Sequence, residues 1–248
     1  MRYLGGKKRQ FKAIIRAIEA IRPGFSVYAE PFCGEMWSAT AVIEALPRRR
    51  YFLSDVNPYL IRFWRAAVFE GWDPPADPTE DEWRSYQLRK PVDDPMTGYL
   101  GFAWSFGGKF FGGAARDKTG GTFKGSYRST CRKIDILRRA DVRIECRSYD
   151  NKPLPLGCLA YLDPPYEGRT HQAHKKINGG FDHDRFRIWA EGQAARATIL
   201  TTEFVNPNDW EVVHNYGDTV IRHHSGNAPD GTQELLMKVL PANTLTRK

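Results

Sequence analysis

The chain has 248 residues, 41% of them hydrophobic and 27% charged, a balance typical of a folded, soluble protein. Its 37 Lys and Arg residues outnumber 29 Asp and Glu residues, and the resulting net charge of +8 favours a polyanionic partner. The sequence has no apolar run of the ~18 residues that span a membrane, no secretory signal, and no cysteine or histidine spacing typical of a metal site. We therefore expect a cytoplasmic protein that binds neither metal nor membrane.

The first seventy residues alternate between helix and strand patterns. Apolar residues at helical spacing predict a helix at 11–21, and a β-prone run follows at 25–30. A buried helix at 37–46, a short strand at 51–53 and a helix capped by Asn57 come next. This alternation predicts an α/β fold with a mostly parallel, doubly wound sheet.

Composition changes after residue 71, where we place the start of an insert. The spacing of Thr79 and Glu82 predicts a capping box at the start of a short helix. Seven glycines between 107 and 125 predict a long loop without regular structure. A basic helix is predicted at 129–140, so the insert is expected to be mainly helical.

The alternating pattern resumes at residue 142. Further strands are predicted at 142–146, 158–162 and 198–201, a helix opened by Asp182 or Asp184, and three β-like runs at 210–216, 219–224 and 234–240. The dipeptide Gly217-Asp218 predicts a turn, and hence an antiparallel C-terminal hairpin. The main domain therefore comprises residues 1–71 and 141–248, and the insert residues 72–140.

The most informative motif is Asp-Pro-Pro-Tyr at 163–166, directly after an apolar strand. Ligands bind at the carboxyl ends of strands in α/β sheets, and two consecutive prolines stiffen the backbone and remove two N–H donors. The Asp163 carboxylate and the Pro164 carbonyl are suited to accept the two hydrogens of an amino group on a planar base, with Tyr166 stacked on that base. The alternative is a surface turn, which Asp-Pro also favours.

A second motif, Glu-Pro-Phe-Cys-Gly at 30–34, lies at a strand-to-helix junction. Gly34 lets a ligand approach the backbone there. Asp55 follows about twenty residues later at the end of the next strand, an offset suited to binding the ribose hydroxyls of an adenosine cofactor. Its alternative role is that of a turn residue before Asn57. The segment Arg-Tyr-Leu-Gly-Gly-Lys at 2–7 would in isolation be a flexible N-terminus.

In this order, RYLGGK, EPFCG, DVN and DPPY, with a basic insert before the last, the motifs resemble those of the DNA adenine methylase (Dam-like) family of amino-methyltransferases. The resemblance spans nearly the whole chain. It implies a seven-stranded methyltransferase sheet, S-adenosylmethionine (SAM) as cofactor, and methyl transfer to N6 of a flipped adenine in double-stranded DNA, as in restriction-modification systems. The chain departs from the family at Glu35, Met36 and Trp37, where small residues are usual, and bulk there would tighten or distort the cofactor pocket.

The resemblance also assigns roles to individual residues. Those expected to bind the cofactor are Tyr3, Lys7, Phe32, Gly34, Asp55 and Asp163. Those expected to act in catalysis are Asp163, Pro164 and Tyr166, which requires them to line the same cavity as Asp55 and Phe32. In the insert, phosphate contacts are expected from Lys109, Arg116, Lys118, Lys124 and Arg128, and the aromatic residues Phe106, Phe110, Phe111, Phe123 and Tyr127 are candidates to fill the place of the flipped base.

Other functions stay open. The Asp-Pro-Pro-Tyr motif favours adenine over cytosine but not absolutely, so methyl transfer to N4 of cytosine or to RNA is a second possibility. A DNA-binding relative with impaired catalysis is a third. A monomer is the simplest expectation for an enzyme that acts on one base at a time.

Overall fold

The computed structural model describes residues 11–21, 24–114, 121–166, 180–204, 210–216 and 234–242. Several predictions concern residues outside these ranges: the cofactor contacts Tyr3 and Lys7, the phosphate contacts Arg116 and Lys118, and the β-like run at 219–224 with its preceding turn. The side chain of Phe123 also lies outside the description.

The strands in the described residues are β1 (Val27–Glu30), β2 (Arg50–Asp55), β3 (Asp141–Cys146), β4 (Leu159–Leu162), β5 (Thr198–Glu203), β6 (Glu211–Asn215) and β7 (Leu235–Lys238). The α-helices are α1 (Phe11–Ala20), α2 (Trp37–Ala45), α3 (Pro58–Phe69), α4 (Glu80–Arg89), α5 (Pro95–Gly98), α6 (Gly121–Arg138) and α7 (His183–Ala194). A π-helix (Tyr99–Ala103) and a 3₁₀ turn (Phe106–Gly108) lie between α5 and α6.

The predicted fold class is confirmed, because the strands form a mostly parallel seven-stranded sheet with antiparallel strands at its C-terminal end. β2 pairs with β3 in parallel, and β4 pairs in parallel with both β1 and β5. β7 is antiparallel to both β5 and β6. All four residues of β1 and of β4 are buried, as expected of parallel strands that are covered on both faces.

The chain forms two compact units. The first contains Phe32–Tyr149, and the second contains Gln10–Pro31 together with Asp150–Lys248. These units do not test the predicted main domain and insert. The assignment of residues 72–140 to target recognition therefore stays a prediction.

Local sequence signals account for most helix starts. The Asn57 side chain accepts the Leu60 N–H, and Pro58 is the first residue of α3, as predicted. The capping box is also confirmed, since Thr79 Oγ1 accepts the Glu82 N–H and the Glu82 carboxylate accepts the Thr79 N–H. Asp182, the first of the two candidates, caps α7 by accepting the Arg185 N–H.

The prediction of a long structureless glycine-rich loop at 107–125 is wrong at both of its described ends, 107–114 and 121–125. Residues 105–114 form a compact turn closed by a bridge between Ser105 and Ala114, and α6 already begins at Gly121. Two rings fix this turn: Phe111 is buried, and the Phe110 ring lies 4.8 Å from that of Tyr59. Burying these rings stabilises the turn by more free energy than is lost by restricting the conformational freedom of its glycines.

Candidate active site

The Asp-Pro-Pro-Tyr motif begins where β4 ends, as the sequence predicts. β4 is a buried apolar strand that ends at Leu162, and Asp163 follows as a half-buried residue. Pro164 and Pro165 have no N–H to donate, so strand pairing stops here. The motif thus holds a carboxylate and a stiff stretch of backbone at the carboxyl end of a central strand.

Hydroxyl groups surround one oxygen of the Asp163 carboxylate. Thr202 Oγ1, on the neighbouring strand β5, lies 3.1 Å from Asp163 Oδ1, and the Tyr166 hydroxyl lies 3.2 Å from the same atom. The Tyr161 hydroxyl is 3.1 Å from Thr202 Oγ1. Because the single Thr202 proton is directed to Asp163, Tyr161 is the donor in that last contact. Burial, and secondly the charge of Asp163, raise the pKa of Tyr161 well above its usual value and keep it protonated.

Tyr166 is brought next to Asp163, and its hydroxyl also reaches a residue that sequence reasoning missed. This hydroxyl lies 2.6 Å from Oε1 of Glu234, a buried residue directly before β7. The ring packs edge-on against Phe204, with centroids 4.7 Å apart and an interplanar angle of 88°. The predicted stacking of Tyr166 on a base stays a prediction.

In the first unit, the glycine turn and the end of β2 are joined through Asp55. The Gly34 N–H donates to Asp55 Oδ2 at 3.0 Å, and the Asn57 N–H donates to Oδ1 at 2.9 Å. Burial raises the pKa of Asp55, and the N–H donors from Asn57, Gly34 and Val56 only partly offset that effect. Asp55 therefore has the alternative role predicted for it, since it binds the backbone of the turn before Asn57. Its oxygens can still accept from a ligand, because a carboxylate can accept about four hydrogen bonds.

Two features beside Asp55 suit a flat, close-fitting ligand. Gly34 has a φ of 43°, in the left-handed region, and bears no Cβ that would block an approach to the backbone. The Phe32 ring stacks on Tyr149, with centroids 5.4 Å apart and an interplanar angle of 28°. Tyr149 follows β3 and was not among the predicted residues.

Two of the bulky residues after Gly34, Glu35 and Trp37, contact a buried cation. Lys133 on α6 donates to the Glu35 carbonyl at 2.7 Å, and its Nζ lies 3.4 Å from Glu35 Oε2. The same ammonium lies 3.7 Å from the centroid of the Trp37 ring. Burial lowers the pKa of Lys133 to about 8, against the opposing effect of Glu35. The bond between Gly34 and Asp55 persists beside this cluster, so the departure from the family pattern does not disrupt the turn.

The basic residues of α6 divide into two groups. Arg132, Lys133 and Arg138 bind within the first unit, to Glu44, Glu35 and Asp73 respectively. Of the predicted phosphate contacts, Lys124 and Arg128 are exposed on α6, and Lys109 is half-buried in the compact turn. Among the aromatic candidates Phe106 is 63% exposed, whereas Phe110 and Phe111 pack in the turn.

Thr202, Glu234, Tyr149 and Lys133 are the residues of these sites that sequence reasoning missed. Thr202 and Tyr149 follow or end predicted strands, and that position was the one available signal for them. Lys133 lay within a stretch of basic residues that looked uniformly solvated. Glu234 begins a predicted β-like run, but nothing in the sequence connects it with Tyr166, which is 68 residues away.

Two further properties concern metals and membranes. Within the described ranges, no cluster of three or more His, Cys, Asp or Glu side chains has the arrangement of a metal site. No described helix has the length and apolar character needed to cross a bilayer.

Neither a protein-family model nor a curated protein matches the chain. Among solved structures, the chain is similar to the rRNA methyltransferase aviRa from Streptomyces viridochromogenes, with 14% identity, a TM-score of 0.43, and coverage of 96% of this chain and 86% of that one. SMU.472, provisionally called a methyltransferase and solved with SAH, matches at 12% identity and a TM-score of 0.36, over 93% of this chain and 52% of that one. Likenesses this distant do not transfer an activity or a substrate, so function has to follow from the residues of the chain itself.

Proposed function

We propose that the chain is a SAM-dependent DNA methyltransferase that methylates N6 of an adenine flipped out of the duplex. One observation carries this proposal: the Asp163 carboxylate stands at the end of β4, ordered by Thr202 and Tyr166, immediately before Pro164. The order of the four sequence motifs supports the same conclusion.

The acceptor residues can activate an amino group that is otherwise a poor nucleophile. Adenine N6 carries two hydrogens, and its lone pair is delocalised into the ring. In our proposal the Asp163 carboxylate and the Pro164 carbonyl each accept one hydrogen, which favours a pyramidal nitrogen and frees the lone pair. As the nitrogen–methyl bond forms and the bond between methyl carbon and sulfur breaks, positive charge would develop on the nitrogen, where the negative Asp163 stabilises it until one of the two hydrogens leaves as a proton. Tyr166 is proposed to stack on the base.

We propose that the cofactor is bound by residues of the first unit's glycine turn, by the end of β2 and by residues of the N-terminal segment. Asp55 is proposed to accept the ribose hydroxyls, and Gly34 and Phe32 to contact the cofactor closely, together with Tyr3 and Lys7. The left-handed backbone of Gly34 and the carboxylate beside it fit a ligand that bears hydroxyl donors. When bound, SAM supplies an electrophilic methyl group on sulfur. Asp163 is also proposed to contact it.

The nucleic-acid contacts are proposed for the insert. Lys124 and Arg128 are exposed and can neutralise phosphates, as can Lys109, Arg116 and Lys118. Extruding a base costs a few kcal/mol, and an aromatic side chain in the vacated stack would recover part of this. The 63% exposure of Phe106 makes it the best placed of the described candidates.

The test of this proposal is methyl transfer from labelled SAM to duplex DNA, single-stranded DNA and RNA, followed by nucleoside analysis. We expect label in N6-methyladenine from duplex DNA, and none when Asp163→Ala replaces the wild type. Label in N4-methylcytosine, or in RNA alone, would show that the substrate is cytosine or RNA and not adenine in duplex DNA. SAM binding without transfer to any of the three would favour a DNA-binding relative with impaired catalysis.

DNA binding through α6 has its own test, namely the salt dependence of the affinity for duplex DNA. Each phosphate contact contributes a slope of about one in a plot of log affinity against log salt. We expect Lys124→Ala or Arg128→Ala to reduce that slope by about one. Arg132→Ala is the matched control, since Arg132 lies on the same helix but pairs with Glu44. Equal slopes for all variants would remove this face from the interface.

A further inference from the structure

The hydroxyl of Tyr166 has one proton and several acceptors within reach. Glu234 Oε1 lies at 2.6 Å, Asp163 Oδ1 at 3.2 Å and Thr202 Oγ1 at 3.3 Å. The shortest of these contacts has the length typical of an O–H donor bound to an ionised carboxylate, which is the strongest type of hydrogen bond available to a phenol. The geometry therefore assigns the Tyr166 proton mainly to Glu234.

We infer that Glu234 is a positioning residue for the acceptor site: by holding the Tyr166 proton, it keeps the Asp163 carboxylate available to the amino group of the target base. This inference rests on the proposed function. It adds to the site a residue from the C-terminal end of the chain that no motif contains.

The neighbourhood of Glu234 supports an arrangement of two carboxylates around one phenol. Glu234 is 1% exposed, so its charge is little screened by solvent. The Tyr216 N–H donates to the Glu234 carbonyl at 3.0 Å, which fixes the start of β7. Burial, followed by the charges of Glu234 and Asp163, raises the pKa of Tyr216. Phe204 packs against the Tyr166 ring and limits its reorientation.

The competition for this proton decides the state of Asp163. Thr202 already donates to Asp163 Oδ1 at 3.1 Å. If Glu234 no longer attracts the Tyr166 proton, that proton turns to the same Oδ1 atom, which would then accept two hydroxyl donors. A carboxylate so engaged is a weaker acceptor for a third donor and less able to stabilise positive charge on the target nitrogen.

A double-mutant cycle between Glu234→Gln and Tyr166→Phe tests the inference, with single-turnover methyl transfer to duplex DNA as the readout. We expect Glu234→Gln to lower the rate at saturating SAM about tenfold, because a neutral amide holds the phenol proton less strongly than a carboxylate. The SAM dissociation constant should stay within twofold of the wild type. In the Tyr166→Phe background, where no phenol proton exists, Glu234→Gln should change the rate less than twofold.

The possible outcomes separate this inference from the proposed function. A tenfold loss from Glu234→Gln in both backgrounds would show a structural role and overturn the inference, as would an unchanged rate in both. If Glu234→Gln does not fold, Glu234→Asp replaces it, since Asp keeps the charge but has a shorter reach. A wild-type chain that transfers no methyl group would overturn the proposed function, and this inference with it.

Discussion

Asp55 ends β2 and Asp163 directly follows β4, but the protein holds the two carboxylates in different ways. Backbone N–H groups of Gly34 and Asn57 bind the two oxygens of Asp55. The Thr202 hydroxyl donates to Asp163 Oδ1, and the Tyr166 hydroxyl, whose proton is held mainly by Glu234, lies 3.2 Å from the same atom.

This difference matches the two proposed roles. Backbone donors have fixed positions and always donate. They therefore hold Asp55 as a rigid acceptor for the ribose hydroxyls of the proposed cofactor, which take no part in the reaction. Hydroxyl protons can rotate between acceptors, so the strength with which Asp163 accepts depends on its neighbours. A site that stabilises developing charge benefits from this adjustable environment, whereas a binding site benefits from rigidity.

The largest effect is expected from Asp163→Asn. The amide cannot replace the charge of the carboxylate and offers N–H donors toward the amino group. We expect the single-turnover rate of methyl transfer to fall about 10³-fold, corresponding to about 4 kcal/mol, while the SAM dissociation constant rises by about tenfold at most, since Asp163 is proposed to contact the cofactor as well. Quench-flow kinetics and calorimetry measure the two quantities. Equal losses in rate and affinity would erase the proposed distinction between Asp163 and Asp55.

Glu35 provides a third carboxylate, held by a buried ammonium. Lys133→Met should reduce the free energy of unfolding by about 3 kcal/mol, because it leaves the Glu35 charge buried without its cation. The double variant Lys133→Met with Glu35→Met should recover most of this loss. Denaturant titrations of the single and double variants measure both values, and an additive double variant would contradict the pairing.

The lowered pKa of Lys133 also predicts how the free energy of unfolding depends on pH. In the unfolded chain Lys133 keeps its proton up to about pH 10.5, whereas in the folded chain it loses it at about pH 8. Between these values the unfolded state binds more protons, so Lys133 contributes a rise in stability with increasing pH. Subtracting the Lys133→Met profile from that of the wild type should isolate this rise, and a flat difference would show that the lysine is not desolvated.

A smaller effect is expected from Asp55→Asn. Loss of the carboxylate weakens the proposed ribose contacts, and we expect the SAM dissociation constant to rise about tenfold, with the rate at saturating SAM within threefold of the wild type. Because burial raises the pKa of Asp55, SAM affinity of the wild type should decrease on acidification at a higher pH than an ordinary Asp would give. Calorimetry over a pH series measures this pH dependence of the SAM affinity. If Asp55→Asn showed the same dependence, a group other than Asp55 would be its cause.

The features that could be predicted from sequence are local ones. The strand before Asp163, the cap at Asn57 and the capping box at Thr79 depend on neighbouring residues, and all three are confirmed. The position of Asp55 at a strand end also followed from local pattern.

The features that escaped prediction depend on contacts between distant residues. Thr202 and Glu234 approach Tyr166 only because β5 and β7 pair beside β4. In the sequence Lys133 resembles the other basic residues of α6, which are mostly exposed. It is nevertheless 2% exposed, because its ammonium contacts Glu35 and Trp37 at the start of α2. The turn at 105–114 is ordered by rings whose partners lie elsewhere in the first unit.

Single-molecule methylation mapping of DNA from cells that express the chain is the most direct test of the central claim. We expect N6-methyladenine at one recurring sequence with the wild type and none with Asp163→Ala expressed at the same level. The claim would be contradicted if DNA from cells expressing the wild-type chain had no methylated adenine. It would also be contradicted if that DNA and the DNA from cells expressing Asp163→Ala were equally methylated.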